Sequence, residues 1–266
     1  MGVGDHILCA IPPQDCFLGI EMANIVANNL SLHYRLSGQG RAKLSGATAP
    51  KNLIEIGRKK YILALKELNF KIENGQRVGL VGRNGSGKST LLRVLGGVYP
   101  PTGGSLSVSG QVSSMFNLSL GVQAEASGRD NIIIRGLVKG WRRSEIEDHM
   151  DEIVDFSELR DYIDLPLRTY SDGMRMRLLF AIATSFSPEV LLLDEWIGAG
   201  DSSFQAKAAE RMGAMVDKAG IVVIASHSRA LLLRVCDRAI WLDQGVLRAY
   251  GDIEDVFAAM DEGVSG

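Results

Sequence analysis

The sequence predicts an α/β fold, and three observations lead to this prediction. A short apolar strand, "RVGLVG", runs into a glycine-rich turn and then a helical segment, "SGKSTLLRVLGG". Apolar residues recur at helical spacing through much of 129–186, and strands alternate with helices again from residue 190 onward. The chain is therefore strand-rich at its start, helical in its middle and α/β at its end.

The composition is that of an ordinary globular protein, and the net charge limits the classes of partner that the chain is expected to bind. Its 266 residues suffice for one large or two small domains, with 46% apolar and 23% charged residues. A net charge of −2 provides no basic field, which argues against nucleic acid as a partner. The three cysteines form no disulfide framework and are expected to be reduced thiols.

The sequence also predicts where the protein is located. No apolar run approaches the roughly 20 residues that a membrane helix needs. The N-terminus lacks the basic start of a secretion signal. We therefore expect a cytosolic chain whose membrane role, if it has one, depends on a partner.

The first third of the chain is predicted to contain several strands. Residues 1–24 show little periodicity and are assigned to an N-terminal extension, after which "NIVANNLSLHYRL" is typical of a strand. Residues 35–60 are rich in Gly, Ser, Ala and Lys and are predicted to form a long loop. "LKELNFKIENGQ" alternates between apolar and polar residues and predicts a strand that ends in an Asn74-Gly75 turn.

The remaining elements follow from periodicity and from turn residues. "PPTGG" (100–104) predicts a turn and "SLSVSGQV" a strand. Ser144 and Glu147 have the spacing of a capping box at the start of a helix. Further on, we expect a strand at 190–194, a helix from about 202, a strand at 221–226, another helix and the hairpin "RAIWLDQGVLRAY".

The segment "GRNGSGKST" (82–90) fits the phosphate-binding pattern G-x-x-x-x-G-K-[ST] at every fixed position. Glycines let the backbone N–H groups surround an anion, and the following helix N-terminus adds partial positive charge. Lys88 is predicted to lie along the β- and γ-phosphates, and the Ser89 hydroxyl to occupy one Mg²⁺ position. The predicted nucleotide-binding residues are Gly82, Arg83, Asn84, Gly85, Ser86, Gly87, Lys88, Ser89 and Thr90.

Two acids at the end of the strand "VLLLDEW" complete this candidate site. Asp194 is predicted to hold Mg²⁺ directly or through water, and Glu195 to polarise the attacking water. His227, at the tip of the strand "IVVIAS", is placed to sense a γ-phosphate. Taken singly, the acids could merely end a strand and the histidine could be a polar loop residue; the complete set favours catalysis.

The order of these motifs resembles that of an ABC-type ATPase cassette over roughly residues 25–250. The resemblance implies a P-loop NTPase fold with a RecA-like core, an antiparallel β subdomain and a helical subdomain at about 113–186. It also implies ATP and Mg²⁺ as cofactors. The corresponding domain assignment is an ATPase domain at 25–251 and a short C-terminal tail at 252–266.

In that family, "YSDGM" occupies the place of the signature motif, usually Leu-Ser-Gly-Gly-Gln. Ser171 and Gly173 match it, whereas Tyr170, Asp172 and Met174 depart from it. The family's architecture implies that this turn closes over ATP held by a second copy, in a nucleotide-sandwich homodimer.

The resemblance implies further site residues and leaves two assignments open. Asp201 is implied to bind nucleotide. The glutamine-loop position falls on Asn117 or Gln123. The adenine-stacking residue is Tyr34 by its "LHYRL" setting, with Tyr61 as the alternative, and either tyrosine could instead belong to the core.

Several segments resemble one branch of the family, the ATPases of O-antigen, capsule and teichoic-acid exporters. They are "YSxGM", "DEWIGAGD", "GRDNI" and "LGGVYPPTGG". The branch implies ATP hydrolysis that powers export of polysaccharide or lipid-linked glycan, through an integral-membrane permease at the cytoplasmic face of the inner membrane. Only 15 residues follow Gly251, so we expect no carbohydrate-binding domain after the cassette.

The alternative function is a soluble ABC-type ATPase or nucleotide-dependent regulator that is not coupled to transport. A span of 83 residues from Lys88 to Ser171 leaves no room for the long coiled coil of chromosome-type members. A final hypothesis concerns the loop 35–60, which carries seven basic residues and one acid. The loop either faces anionic lipid or glycan near the permease, or is simply solvated.

Overall fold

The computed structural model describes residues 22–36, 52–57, 59–116, 118–119, 121–195 and 202–264. Within these ranges the chain forms ten strands, seven α-helices and one 3-10 turn. The strands are β1 Asn24–Arg35, β2 Leu53–Ile56, β3 Lys59–Glu73, β4 Arg77–Val81, β5 Gly103–Ser109, β6 Val112–Ser114, β7 Val190–Asp194, β8 Ile221–Ala225, β9 Arg238–Asp243 and β10 Val246–Asp252. The helices are α1 Lys88–Leu95, α2 Gly128–Val138, α3 Arg143–Ser157, α4 Asp172–Thr184, α5 Ser202–Lys218, α6 Arg229–Val235 and α7 Ile253–Val264, and the 3-10 turn is Leu167–Thr169.

Two sheets form the framework. The first has the strand order β2-β3-β1-β5 and is antiparallel. The second has the order β10-β9-β4-β8-β7-β6, in which all neighbours are parallel except β10 and β9. Helices α2, α3 and α4 form a separate helical region between β6 and β7 in the chain.

The middle strands of the second sheet explain why the functional motifs meet. β8 is buried along its whole length and β7 up to Leu193, as expected for parallel strands covered on both faces. Ala225 pairs with Leu80 of β4 on one side and with Asp194 of β7 on the other. The residues that follow these strands therefore leave the sheet at one edge, where ligands bind in open α/β sheets.

The side chain of Asn131 organises the entry to the helical region. Asn131 is fully buried, and its Nδ2 donates to the carbonyl oxygens of Gln123 at 2.9 Å, Ala126 at 3.3 Å and Ser127 at 2.8 Å. Its Oδ1 accepts a hydrogen bond from the Gln123 N–H at 2.9 Å. A single amide thus joins three backbone carbonyl groups and one N–H at the start of α2.

The prediction of a loop over 35–60 is wrong for part of that segment. β2 pairs with the start of β3, so that Ile54 lies opposite Tyr61 and Leu53 opposite Ile62. Lys60 Nζ lies 3.3 Å from a Glu55 oxygen. β2 is an edge strand, where lysines are well tolerated, and for this reason the basic composition misled the prediction. Residues 37–51 and Arg58 lie outside the described residues.

The predicted capping box at Ser144 and Glu147 is also wrong. α3 begins at Arg143, and the Arg142 N–H donates to Glu145 Oε2 at 2.7 Å. Glu147 instead forms an ion pair with Arg143 at 2.8 Å, one helical turn away. Arg142 is the N-cap of this helix, and the buried Trp141 precedes it.

The segment assigned to a C-terminal tail contains α7. Ile253, Val256 and Phe257 are buried in the same core cluster as the helical region. Among the described residues, no helix combines the length and the apolar character that crossing a membrane requires. The bounds of the three predicted domains remain predictions.

Candidate functional site

A cavity of about 320 Å³ opens at the sheet edge where β4, β7 and β8 end. It brings together parts of the chain that are far apart in sequence. The predicted site residues that line it are Tyr34, Asn84, Gly85, Ser86, Gly87, Lys88, Ser89, Thr90, Asp194, Glu195 and His227.

The glycine-rich turn is shaped by close backbone contacts. Gly82 has φ 139°, and a Cβ there would lie 2.1 Å from the Leu242 carbonyl oxygen. Gly87 has φ 111°, and a Cβ at this position would lie 3.1 Å from the Ala64 carbonyl oxygen. Only glycine fits such positions. The N-terminus of α1 therefore faces the cavity with its free N–H groups, which favours an anion there.

Lys88 is nearly buried beneath this turn. Its Nζ donates to the Gly82 carbonyl oxygen at 2.8 Å and to the Arg83 carbonyl oxygen at 3.2 Å. Burial lowers the pKa of Lys88, whereas the nearby carboxylates of Glu195 and Asp194 act to raise it. An anion bound in the cavity would stabilise the charged ammonium further. Gly82 and Arg83, which do not line the cavity, thus hold the Lys88 ammonium through their carbonyl groups.

Ser89 and Asp194 meet across the site. Ser89 Oγ donates to Asp194 Oδ1 at 3.1 Å, which links the second residue of α1 with the last residue of β7. The two predicted metal ligands are therefore adjacent, although 105 positions separate them in the sequence.

Glu195 is held by the end of β8. Its N–H donates to the Ala225 carbonyl oxygen at 2.8 Å, and its φ is 64°, in the left-handed region. The carboxylate accepts the His227 N–H at 3.2 Å and the Ser226 hydroxyl at 3.4 Å. His227 Nε2 lies 3.9 Å from Glu195 Oε1, and more than half of each side chain is exposed. Both predicted catalytic groups are thus oriented together and open to the cavity.

The far end of the cavity is lined by residues of the first sheet. Tyr34 lines it and packs edge-on against Tyr99, with ring centroids 5.5 Å apart. Tyr61, the alternative adenine-stacking residue, is not among the described lining residues. The assignment of Tyr34 remains a prediction.

Asn52 and Gln244 line the cavity as well, and the sequence analysis missed both. Asn52 precedes β2, and its Nδ2 donates to the Leu63 carbonyl oxygen at 3.0 Å. Gln244 lies in the β9–β10 turn, where the Gly245 N–H donates to the Ser86 carbonyl oxygen at 2.9 Å. The "DQG" turn marks a hairpin in the sequence, but nothing in it signals contact with the phosphate-binding loop.

The candidate signature turn lies apart from this cavity. Ser171 caps α4, and its Oγ accepts the Met174 N–H at 3.2 Å. Ser171 and Gly173 are exposed and are not among the residues lining the chain's own cavity. Asp172, also exposed, forms an ion pair with Arg175 at 3.4 Å, which partly offsets its negative charge.

The remaining predicted site residues are not among the described residues that line the cavity. Asn117 and Asp201 lie outside the described residues. Gln123 is exposed and is held through its backbone by Asn131. It is not among the lining residues, so the position of the glutamine loop stays open.

Curated relatives resemble this chain closely. It is 43% identical over 204 residues to an O-antigen export system ATP-binding protein of Myxococcus xanthus, covering 77% of this chain and 47% of that protein. A second such protein, from Yersinia enterocolitica, is 44% identical over 186 residues, covering 70% and 78%. A teichoic acids export ATP-binding protein of Listeria innocua is 33% identical over 238 residues, covering 90% and 70%. The chain thus spans about half the length of the Myxococcus relative.

Solved structures and a family profile agree with these matches. The structure of an ATP-binding subunit of an ABC transporter superposes with a TM-score of 0.65 at 21% identity, covering 89% of this chain and 93% of that one. A dimeric ATP-binding cassette bound to ADP and Pi superposes with a TM-score of 0.61 at 19% identity, covering 86% and 98%. These likenesses confirm the predicted fold. The profile described as "ABC transporter" matches residues 65–198. This chain therefore belongs to the ABC transporter family, and it resembles the ATP-binding proteins of export systems.

Proposed function

We propose that this subunit powers the export of a polysaccharide or a lipid-linked glycan through an integral-membrane permease. The names of the O-antigen and teichoic-acid relatives support the substrate class. The observation that carries its ATP-hydrolysing role is the convergence of Lys88, the Ser89–Asp194 pair and the Glu195–His227 pair on one cavity. Through the permease, the subunit would reside at the cytoplasmic face of the membrane.

The cavity suits a nucleoside triphosphate with Mg²⁺. Ligands in neighbouring positions of an Mg²⁺ octahedron lie about 3 Å apart, because each is 2.0–2.1 Å from the ion. The 3.1 Å between Ser89 Oγ and Asp194 Oδ1 matches that spacing, and hydroxyl and carboxylate oxygens are suitable ligands. These two residues would hold Mg²⁺, which supplies charge neutralisation on the phosphates when bound.

The protein groups at the ends of β7 and β8 would then catalyse hydrolysis. The Glu195 carboxylate would orient a water molecule and take its proton as the water oxygen bonds to the γ-phosphorus. The bond from that phosphorus to the β–γ bridging oxygen breaks, which leaves ADP and phosphate. His227 would donate to a γ-phosphate oxygen, and Lys88 would stabilise the charge on the transferred group.

A second copy of the chain would complete each site. Ser171 caps a helix N-terminus, where free N–H groups favour an anion, yet it lies apart from the chain's own cavity. We infer that this corner contacts the γ-phosphate of ATP bound by the other copy. Two chains would thereby bury two nucleotides between them.

The role of Tyr34 is tested by Tyr34→Ala. Loss of the aromatic face is expected to raise KM for ATP about tenfold and to change kcat less than twofold, because the ring contacts the base and not the reacting atoms. Steady-state phosphate release measures both constants. Tyr61→Ala is the matched control and is expected to retain the wild-type KM for ATP. If Tyr61→Ala raises this KM and Tyr34→Ala does not, Tyr61 is the stacking residue.

Transport itself is tested in inside-out vesicles that contain the permease and this subunit. We expect radiolabelled lipid-linked glycan to become protected from external hydrolase when MgATP is supplied, and not with Lys88→Ala. Hydrolysis at an unchanged rate without permease or glycan, together with no protected glycan, would contradict export and favour an uncoupled ATPase.

A further inference from the structure

The first residue of α6, Arg229, connects the catalytic edge to the C-terminal helix α7. Its Nη1 lies 2.9 Å from Asp261 Oδ2 and 3.2 Å from Asp261 Oδ1. The guanidinium also lies over the Phe257 ring, 4.4 Å from its centroid. Asp261 and Phe257 both belong to α7, so one side chain joins the two helices through charge and ring contact.

Helix α6 has few other attachments to the core. It has seven residues, of which Leu232 is buried, and it begins directly after His227 and its cap Ser228. The Ser228 N–H donates to Ser226 Oγ at 3.2 Å, so these bonds tie the loop mainly to itself. The placement of His227 therefore depends strongly on what holds the start of α6.

Helix α7, in contrast, is firmly attached to the second sheet. Ile253, Val256 and Phe257 are buried, and the Ile253 N–H donates to the Asp237 carbonyl oxygen at 3.1 Å. Near the end of the helix, a Cβ on Gly263 would lie 2.9 Å from the Trp241 ring. α7 is thus a fixed support against which Arg229 can hold the loop.

A cavity of about 160 Å³ lies between this support and the catalytic edge. It is lined by Gly82 and His227 on one side and by Phe257, Met260 and Asp261 on the other. This space leaves His227 incompletely packed on the side that faces α7. Besides its connection to β8 through the buried Ser226, His227 is held by its hydrogen bond to Glu195 and by the attachment of Arg229 to α7.

We propose that Arg229 is a positioning residue for ATP hydrolysis, which acts by fixing the loop of His227 against α7. The inference rests on the proposed roles of His227 and Glu195. Arg229 does not line the nucleotide cavity, so it is assigned no contact with ATP. A small displacement of a group that orients reactants can lower a rate strongly without changing binding.

The test compares Arg229→Gln, Asp261→Asn and the exchange Arg229→Asp with Asp261→Arg. Each single change is expected to lower kcat about fivefold to tenfold and to leave KM for ATP within about twofold. The exchange is expected to recover at least about half of the wild-type kcat, since it restores the ion pair. Exposed ion pairs contribute little to stability, so the thermal midpoint is expected to stay unchanged.

Arg143→Gln is the matched control, because Arg143 also forms an exposed ion pair but lies on α3. It is expected to retain the wild-type kcat. His227→Ala separates the two proposals. If His227→Ala lowers kcat and Arg229→Gln does not, the positioning role is overturned and the proposed role of His227 stands.

Two other outcomes also decide the matter. If both variants hydrolyse ATP at the wild-type rate, the assigned role of His227 fails and the positioning role falls with it. If the single changes lower kcat together with the thermal midpoint and the exchange recovers nothing, the contact is merely structural and the inference is overturned.

Discussion

Replacing Glu195 with glutamine is expected to lower kcat for ATP hydrolysis at least about a hundredfold. Glutamine keeps the size of the side chain and can still accept the His227 N–H, which lies 3.2 Å from the carboxylate. It cannot take a proton from the attacking water, and general-base catalysis contributes about 10²–10⁴ in rate. Phosphate release under saturating MgATP measures the loss, and binding of a fluorescent ATP analogue shows that affinity is retained.

The same variant tests whether a second copy of the chain completes each nucleotide site. Bound ATP is consumed far more slowly, so Glu195→Gln is expected to sediment as a dimer with MgATP and as a monomer without it. Glu189→Gln, at the opposite end of β7, is the control and is expected to hydrolyse normally. If the kcat of Glu195→Gln is within threefold of wild type, Glu195 is not the general base. If the variant remains a monomer in MgATP, both alone and with the permease, a second copy does not complete the site.

Replacing Lys88 with alanine is expected to weaken ATP binding about a hundredfold. Lys88 Nζ is nearly buried and donates to two carbonyl groups of the phosphate-binding loop. These carbonyl groups hold the ammonium where it would donate to the phosphates, and losing one or two charged hydrogen bonds to ATP, at about 1.5–3 kcal/mol each, corresponds to about a hundredfold or more in affinity. Isothermal titration calorimetry with a non-hydrolysable ATP analogue measures the change.

Arg93→Ala is the matched control for Lys88, because it removes a positive charge from the exposed side of the same helix. Its affinity is expected to stay within about twofold of wild type. An equal loss of affinity in both variants would mean that overall charge, and not the position of Lys88, determines binding.

Residues at the ends of buried strands could be predicted from the sequence. Lys88, Asp194 and Glu195 follow apolar runs that can only be central strands, and the carboxyl ends of parallel strands share one edge. Asn52 and Gln244 could not be predicted in this way. They reach the cavity because the β1–β3 layer and the β9–β10 turn pack on the phosphate-binding loop, and such long-range packing leaves no local pattern.

The two errors in the fold have different physical origins. β2 is a strand because it pairs with β3, although a four-residue segment among lysines carries little strand signal by itself. α3 begins at Arg143, where the Glu145 side chain accepts the Arg142 N–H, whereas Ser144 and Glu147 merely have the spacing of a cap. At β2 the pairing with β3 outweighs local preference, and at α3 one local cap replaces another.

The left-handed backbone at Glu195 has a consequence for protein engineering. A non-glycine residue at φ 64° carries a conformational cost. Glycine would adopt that conformation freely, so Glu195→Gly would remove the carboxylate while relieving the cost at this position. A laboratory selection that rewards heat resistance alone would therefore tend to discard the group needed for turnover, and thermostabilised libraries of this subunit should be screened for activity in parallel.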